Sequence, residues 1–382
     1  MSAKATPTRA AAKQPHLLMM AGGTGGHIFP GLAIERAMRE RGWRVSWLGT
    51  PTGMEQTLVP QDIFRLHSIA FEGIVGRGIQ PKLMLPLRLL RAYREAKRLL
   101  REIAPDVVIG MGGYPTVPGG LAAARMGVPL LIHQSDAVAG LANRMLARFA
   151  NRVLTGFEGV FTEHGDRHLV TGNPIRKEFA HFADPATRFA GRSGPLALLL
   201  MGGSRGSEAI NAMLPSALAL LAADERPRVV HQAGRGARTS TEGRYQQAGV
   251  DARVLEFIDD PATALATCDF FIGRSGASTV SELAALGVAS LLIPYPHHKD
   301  QQQLHNARVL ANAGAAQILE QPALTAEKLA AAITALTRER CLQMARAATS
   351  VATLDATTAI CDAIAALLPA ARREAVSQGS PA

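Results

Sequence analysis

Aromatic residues are scarce in this chain: two Trp, four Tyr and twelve Phe make up 5% of its 382 residues. A core built without them must be aliphatic, and 47% hydrophobic residues supply one. Cysteine is scarcer still. Cys268, Cys341 and Cys361 show neither a CxxC spacing nor an even count, which excludes a disulfide framework and a cysteine zinc site. No apolar run reaches the roughly 18 residues that span a bilayer. Residues 1–15 are rich in Ala, Lys and Thr and lack an apolar stretch, so they do not read as a secretory signal. They and residues 369–382 read as disordered tails, and the whole as a soluble, cytosolic chain long enough for two cores. Acids are also short: 31 Asp and Glu against 41 Lys and Arg leave a formal charge of +10. Such a surplus suits a nucleic acid, a phosphorylated substrate or an anionic membrane. The aromatic–basic interleaving of nucleic-acid modules is missing, so nucleic acid is not an expected partner.

What is abundant is glycine, and its placement repeats. An apolar run at 16–21 ends in Gly22-Gly23-Thr24-Gly25-Gly26-His27, and another at 196–201 ends in Gly202-Gly203-Ser204-Arg205-Gly206-Ser207. Each is followed by a helix-like stretch. A strand, a glycine turn and a helix N-terminus together cradle an anion, usually phosphate, in backbone amides. Neither turn matches GxGxxG or a P-loop, and the strand after the first ends Trp47-Leu48-Gly49-Thr50 with no acid for a ribose. A nicotinamide cofactor is therefore not expected, nor is any other cofactor. Four glycines in five positions exceed what a tight turn needs. His27 falls at the helix start, where a lone histidine is more often a structural donor than a base.

Strand-like runs at 16–21, 44–48, 107–110, 130–133 and 152–154 alternate with helix-like runs at 31–41, 82–102, 119–126 and 139–147. In the second half the strands fall at 196–201, 228–232, 253–256, 269–272 and 290–293. Helices fall there at 208–222, 261–266, 280–285, 302–313 and 325–338. This alternation predicts an α/β chain of two Rossmann-like, doubly wound parallel-sheet domains facing a cleft. The expected divisions are 16–172, a linker at 173–193, 194–355, a helix at 356–368 and the two tails. Ligands of such folds sit at the carboxyl ends of strands.

Three further segments carry candidate chemistry. Gly110-Met111-Gly112-Gly113-Tyr114-Pro115 is a second glycine loop, either a mere turn or a second wall of the same pocket. Arg274-Ser275-Gly276-Ala277-Ser278-Thr279-Val280-Ser281-Glu282 offers small residues and hydroxyls at a helix start. Its Glu282 reads equally as a ribose-binding carboxylate or as the far end of a Thr279-x-x-Glu282 capping box. Tyr295 to Gln303 opens a helix with paired His and successive Gln. Adjacent His297 and His298 share no helix face, so metal is not expected, whereas Gln302 and Gln303 suit sugar hydroxyls.

Residues 82–102 hold seven basic and two acidic residues. Leu83, Leu87, Leu90 and Tyr93 recur at helical spacing, and Arg88, Arg91 and Arg94 lie on a broad polar side. This is either a core-packed helix with a solvated face or a basic amphipathic helix for an anionic membrane; the lopsided charge favours the membrane.

From residue 16 to about 355, the combination GGTGGHIFPGLA, GMGGYPTVPGGLAA, TGNPIR, GGSRGS, EFIDD, RSGASTVSELAALG and the Gln-rich loop resembles the MurG family of inverting glycosyltransferases, family 28. The resemblance implies the GT-B fold and a metal-free transfer of N-acetylglucosamine (GlcNAc). The donor is UDP-GlcNAc; the acceptor is the 4-hydroxyl of undecaprenyl-diphosphate-linked N-acetylmuramyl-pentapeptide (lipid I), which gives lipid II for peptidoglycan. It further implies a peripheral enzyme on the cytoplasmic face of the inner membrane, working with other cell-wall synthesis proteins.

By the same resemblance, Thr24, Gly25 and Gly26 lie where diphosphate and donor sugar meet, and Gly22, Gly23, Gly112, Gly113 and Tyr114 line the acceptor diphosphate. Arg176 is a linker arginine on the donor, and Ser204 meets its phosphate. Ile258 reads uracil through its backbone. Ala277, Ser278, Thr279, Val280, Ser281 and Glu282 hold phosphate and ribose, and Gln302 and Gln303 the sugar. His27 is the first candidate base. The family's usual His-Glu-Gln-Asn run is here His133-Gln134-Ser135-Asp136. Asp136 thus stands where an asparagine contacts the donor, and is the second candidate base. Arg205 replaces a usual Gln, and Ser278 an apolar residue.

Overall fold

The short apolar runs become strands buried from end to end: all six residues of β1 (His16–Ala21) and β4 (Val107–Gly112) are buried. In the computed structural model, which describes residues 14–22, 25–59, 65–71, 84–179, 182–203, 206–298, 300–370 and 372, two sheets form. The first contains β1, β2 (Arg44–Gly49), β3 (Arg65–Ser68), β4, β5 (Leu130–Gln134), β6 (Arg152–Thr155) and β7 (His168–Val170), in the order β3-β2-β1-β4-β5-β6-β7. The second contains β8 (Ala197–Met201), β9 (Arg228–Gln232), β10 (Arg253–Leu255), β11 (Phe270–Gly273), β12 (Ala289–Leu292) and β13 (Ala316–Ile318), in the order β10-β9-β8-β11-β12-β13. The pairs on either side of β1 and of β8 are parallel.

In both sheets the strand order reverses beside the first strand, between β1 and β4 and between β8 and β11. Doubly wound sheets open a crevice at that reversal, outside the carboxyl ends of the strands. The two glycine turns end β1 and β8. The Gly112 loop ends β4 and the Arg274 loop ends β11. Each sheet therefore brings two of the sequence's candidate segments side by side.

The chain forms two compact units, one of residues 1–133, 142–153 and 358–382, the other of 134–141 and 154–357. In the first unit the helix Ala356–Ala365 meets the end of the helix Gly25–Glu40, with Asp362 paired to Arg41 at 2.6 Å. In the second, aliphatic residues of β8, β9 and β11 pack under the helices Glu208–Ala219 and Ala326–Thr334. All three cysteines are buried and free; burial pushes the Cys268 and Cys341 thiols up to about 12 and Cys361 to about 11.

Several element bounds differ from the sequence expectation. The first helix starts at Gly25 rather than 31, taking in His27 and an internal Pro30. The expected helix 325–338 is two: Ala326–Thr334 ends, and Thr337 caps a new helix Arg338–Thr349 by accepting from the Arg340 amide at 3.1 Å. A polar helix, Arg238–Ala248, has no counterpart among the helix-like runs of the sequence. Among the described residues no helix is long and apolar enough to cross a membrane. The tails at 1–13 and 373–382, and Leu83, lie outside the described residues.

Candidate functional site

In the first unit, β1 runs into Gly22, and the helix begins at Gly25; Gly23 and Thr24 lie outside the described residues. Gly112 and Gly113 take φ of +115° and +89°, a region that favours glycine. A Cβ on Gly113 would fall 2.2 Å from the Gly22 carbonyl oxygen, and one on Gly112 would fall 2.8 Å from the His27 ring. The two glycine segments thus form one close-packed structure rather than two separate turns. Thr116 holds it by donating to the Gly113 carbonyl at 2.6 Å. Tyr114 beside it is exposed.

His27 is the third residue of its helix, half-buried, with Nδ1 3.2 Å from the Gly22 carbonyl oxygen. A carbonyl only accepts, so Nδ1 carries the proton and the neutral ring keeps its lone pair on Nε2. Gly26, also in this first turn, is exposed, and Gly25 is half-buried.

A carboxylate does lie close to the end of β2, but it faces inward and is not a ribose acid. Glu55 is fully buried and accepts from the Thr50 amide at 2.6 Å and the Thr50 hydroxyl at 2.8 Å. Cβ atoms on Gly22, Gly49 or Gly53 would each come within 3 Å of its side chain. Gly22 from the end of β1, with Gly49 and Gly53 from the stretch that leads to Glu55 itself, therefore leave room for one carboxylate behind the first turn. The only signal in sequence was glycine on both sides of Thr50.

In the second unit the turn after β8 is held at both flanks. Gly202 donates to the Gln232 carbonyl at 3.0 Å, and Gln232 Nε2 donates to the Gly203 carbonyl at 3.2 Å. Ser204 and Arg205 lie outside the described residues. Arg274, at the end of β11, donates to Ser207 Oγ at 2.8 Å, to the Ile293 carbonyl at 2.9 Å and to Gln321 Oε1 at 2.6 Å.

The helix after β11 begins at Ala277, with Gly276 as its N-cap and no side-chain cap. Thr279 is therefore already inside the helix and cannot be the cap of a capping box, which needs its acid three residues after the cap. The first-turn amides are left to an outside acceptor, and the helix dipole favours an anion there. Ser278 and Thr279 are half-buried at this end. Val280 is wholly buried in the core, and its amide donates to the Gly276 carbonyl at 2.9 Å.

Glu282 lies one turn on, its Oε1 3.5 Å from Arg176 Nη2. Burial raises its carboxyl to about 7, against the opposing pull of Arg176. The Arg176 guanidinium also sits over the Phe179 ring, 4.7 Å from its centroid, which fixes its direction. Ser281 Oγ accepts from Asn173 Nδ2 at 3.1 Å. Ile258 is half-buried, and Asp260 caps the helix Pro261–Thr267.

Asp136 accepts from Asn306 Nδ2 at 2.8 Å, while Asn306 Oδ1 accepts from the Ala137 amide at 2.8 Å. Asn306 is fully buried and also donates to the Ser275 carbonyl at 3.1 Å. It joins the 134–141 segment to the end of β11, a role invisible in sequence because the three partners are far apart along the chain. Gln134 is buried and folds the same segment, donating to the Val138 carbonyl at 2.9 Å and accepting from the Gly140 amide at 3.1 Å. Gln303 Oε1 accepts from the Tyr295 amide at 2.9 Å, and Gln302 donates to Asp300 at 3.0 Å. Among the described residues no three His, Cys, Asp or Glu side chains gather as a metal would require.

The basic helix runs Leu85–Ile103 and buries Ala92, Ala96 and Leu100. Leu87 and Leu90 do not join the core as a packed face: they are 59% and 43% exposed, beside Met84 at 52%. Tyr93 and Arg88 are half-buried, and Arg91 and Arg94 are exposed.

Comparison with known proteins places this geometry. The glycosyltransferase family 28 N-terminal domain matches residues 17–155, and the family 28 C-terminal domain matches 197–360. A relative from Paracidovorax citrulli is 47% identical over 346 residues, 91% of this chain and 96% of its own length. One from Burkholderia ambifaria (strain MC40-6) is 50% identical over 345 residues, 89% of this chain and 93% of its own. Both are named UDP-N-acetylglucosamine--N-acetylmuramyl-(pentapeptide) pyrophosphoryl-undecaprenol N-acetylglucosamine transferase. The crystal structure of Acinetobacter baumannii MurG is 36% identical, covers 92% of this chain and 99% of its own, and superposes with a TM-score of 0.79. With two parallel sheets of the GT-B type and a family match across both halves, the chain belongs to glycosyltransferase family 28.

Proposed function

We propose that this chain transfers GlcNAc from UDP-GlcNAc to the 4-hydroxyl of undecaprenyl-diphosphate-linked N-acetylmuramyl-pentapeptide, making lipid II with inversion at the sugar. The observation that carries this reading is the near-full-length identity to transferases whose names state that donor and acceptor. The local geometry supports it. The uncapped helix start at Ala277–Thr279 suits the donor diphosphate, and the Glu282 carboxylate suits the ribose hydroxyls. Gln302 and Gln303 suit the sugar, and the Ile258 backbone the uracil. On this reading the C-terminal half binds the donor, and the N-terminal half takes the acceptor diphosphate at Gly22, Gly112 and Gly113.

In the reaction, the acceptor oxygen attacks the anomeric carbon as the bond to UDP breaks on the opposite face. The hydroxyl proton passes to His27 Nε2, whose lone pair is fixed by the Nδ1 contact to Gly22. Charge developing on the departing diphosphate is met by the helix start and Arg176. Attachment to the membrane is assigned to the exposed Met84, Leu87 and Leu90 with Arg88, Arg91 and Arg94, on the cytoplasmic face of the inner membrane.

The test is radiolabelled UDP-GlcNAc with a short-chain lipid I analogue. Label moving into the lipid product, with a β linkage, supports the reading. Transfer to diacylglycerol instead, or epimerised sugar nucleotide from donor alone, overturns it.

A further inference from the structure

Behind the second glycine turn lies a polar chain that the proposed reaction does not use. His231, Asn211 and Tyr245 are all buried, none more than 2% exposed. His231 Nδ1 is 2.9 Å from the Tyr245 hydroxyl, His231 Nε2 is 3.0 Å from Asn211 Oδ1, and Asn211 Nδ2 is 2.9 Å from the Ala233 carbonyl oxygen. The proton positions along this chain follow one from another. The Ala233 carbonyl accepts, so Asn211 turns its NH2 towards it and its oxygen towards His231. That oxygen accepts, so His231 carries its proton on Nε2. Nδ1 must then accept, and Tyr245 donates to it. Burial holds His231 neutral by lowering it to about 4, and pushes the Tyr245 hydroxyl upward, so neither end of the chain changes charge near neutral pH.

The far end of this chain is the turn itself. The Ala233 carbonyl lies where a Cβ on Gly206 would stand, 2.3 Å away, so Gly206 packs directly on it. One residue earlier, Gln232 holds Gly202 through its carbonyl and Gly203 through its side chain. Asn211 also belongs to the helix that the turn opens, its amide donating to the Ser207 carbonyl at 2.8 Å. Residues 231 to 233 thus grip both flanks of the turn, and the side-chain relay fixes where the last of them sits. A purely apolar filling would supply the same volume without desolvating three polar groups, but would leave that carbonyl's direction unset.

We propose that the Tyr245–His231–Asn211 relay is a positioning device for the two described flanks of this turn, Gly202–Gly203 and Gly206–Ser207, with His231 setting how their backbone meets the phosphates of a nucleoside diphosphate. The proposal rests on the reading that this half binds UDP-GlcNAc. Its signature is selective: loss of the relay weakens a ligand's phosphate contacts and leaves its nucleoside contacts alone.

The experiment compares UDP with uridine by calorimetry or by competition with a fluorescent donor analogue, using the full chain. In His231→Leu the preference for UDP over uridine falls about tenfold, with uridine affinity unchanged. His231→Gln, whose amide can both donate to Asn211 and accept from Tyr245, retains most of the preference. Tyr245→Phe, the mildest change, lowers the preference severalfold and serves if His231→Leu does not fold. A full UDP-over-uridine preference in His231→Leu or in Tyr245→Phe overturns the proposal and leaves the donor reading standing. A parallel loss of uridine and UDP binding also overturns it, because that reports general loosening. A wild-type chain that binds UDP no better than uridine removes the donor reading itself.

Discussion

The Glu282 carboxylate lies 3.5 Å from the Arg176 guanidinium, on a helix whose start has no side-chain cap. Because burial raises that carboxyl from 4.5 to about 7, the folded protein holds a proton there that the unfolded chain has released between those values. This group's contribution to stability is therefore present below about pH 4.5 and lost as pH rises through 7. Glu282→Gln removes that slope, which urea unfolding at pH 5 and pH 8 measures. Ionised Glu282 is the better acceptor for ribose hydroxyls, so UDP affinity in the unaltered chain rises from pH 6 to pH 8. In Glu282→Gln, affinity is expected to be about 10- to 100-fold lower at pH 8, in line with hydrogen bonds to a charged group, and to keep only the shallower pH slope that the terminal phosphate of UDP itself imposes. A variant slope as steep as that of the unaltered chain contradicts the assignment.

His27→Ala is expected to lower kcat about 10²- to 10⁴-fold, the usual contribution of a positioned base, with UDP affinity nearly unchanged. Gly112→Ala approaches the same outcome by another route. Its Cβ falls 2.8 Å from the His27 ring at a φ of +115°, so the ring must move. Turnover near the unaltered rate in His27→Ala removes histidine from the role.

The helix Leu85–Ile103 makes a prediction about lipid alone. Replacing Arg88, Arg91 and Arg94 together by Ala should weaken binding to anionic vesicles by about two orders of magnitude, at about 1 kcal/mol for each basic residue near the surface. Leu87→Glu should abolish it by charging an exposed apolar side chain. Transfer to a water-soluble acceptor should survive both changes. Flotation with anionic and zwitterionic vesicles reads the difference, and equal binding to both would contradict the basic face as its source.

Asp269 sets the stability of the second sheet. It is 1% exposed, 2.8 Å from Arg192 and 3.4 Å from Arg338, and its Oδ2 accepts from the Ala197 amide at 2.8 Å. Asp269→Ala leaves two guanidinium groups without their shared partner, at an expected cost of about 3–5 kcal/mol by urea unfolding. A loss under 1 kcal/mol would show that the arginines re-solvate at little cost.

The parts of this molecule that sequence reasoning missed have physical causes. The helix Arg238–Ala248 buries only Thr241 and Tyr245, too few apolar positions to leave a period. The first helix begins earlier than its sequence suggests, because Gly25 and Gly26 are poor helix formers and Pro30 reads as a first-turn residue. Packing overrides both: Gly31 fits against Trp47 and Met19, where a Cβ would fall within 3.0 Å of each side chain. On the basic helix the Leu spacing gives the helical period but leaves open which face is covered; the buried residues are Ala92, Ala96 and Leu100, and Leu87 and Leu90 stay exposed. Periodicity reports a stripe and not which neighbour covers it.

Local chemistry along the chain was enough to settle two βα arrays, each opening with an apolar strand and a glycine turn. Strand runs, glycine conformation and helix starts act over a few residues, so composition carries them. Tertiary structure alone decided which turn meets which. Returning β4 beside β1 places Gly113 against Gly22, and returning β11 beside β8 brings Arg274 to Ser207. Those neighbours are joined by crossovers of many tens of residues, and their pairing is set by burying both faces of a parallel sheet rather than by any adjacent signal. The same holds for Glu55, Asn306 and the His231 relay, whose partners come together only once the sheets have formed.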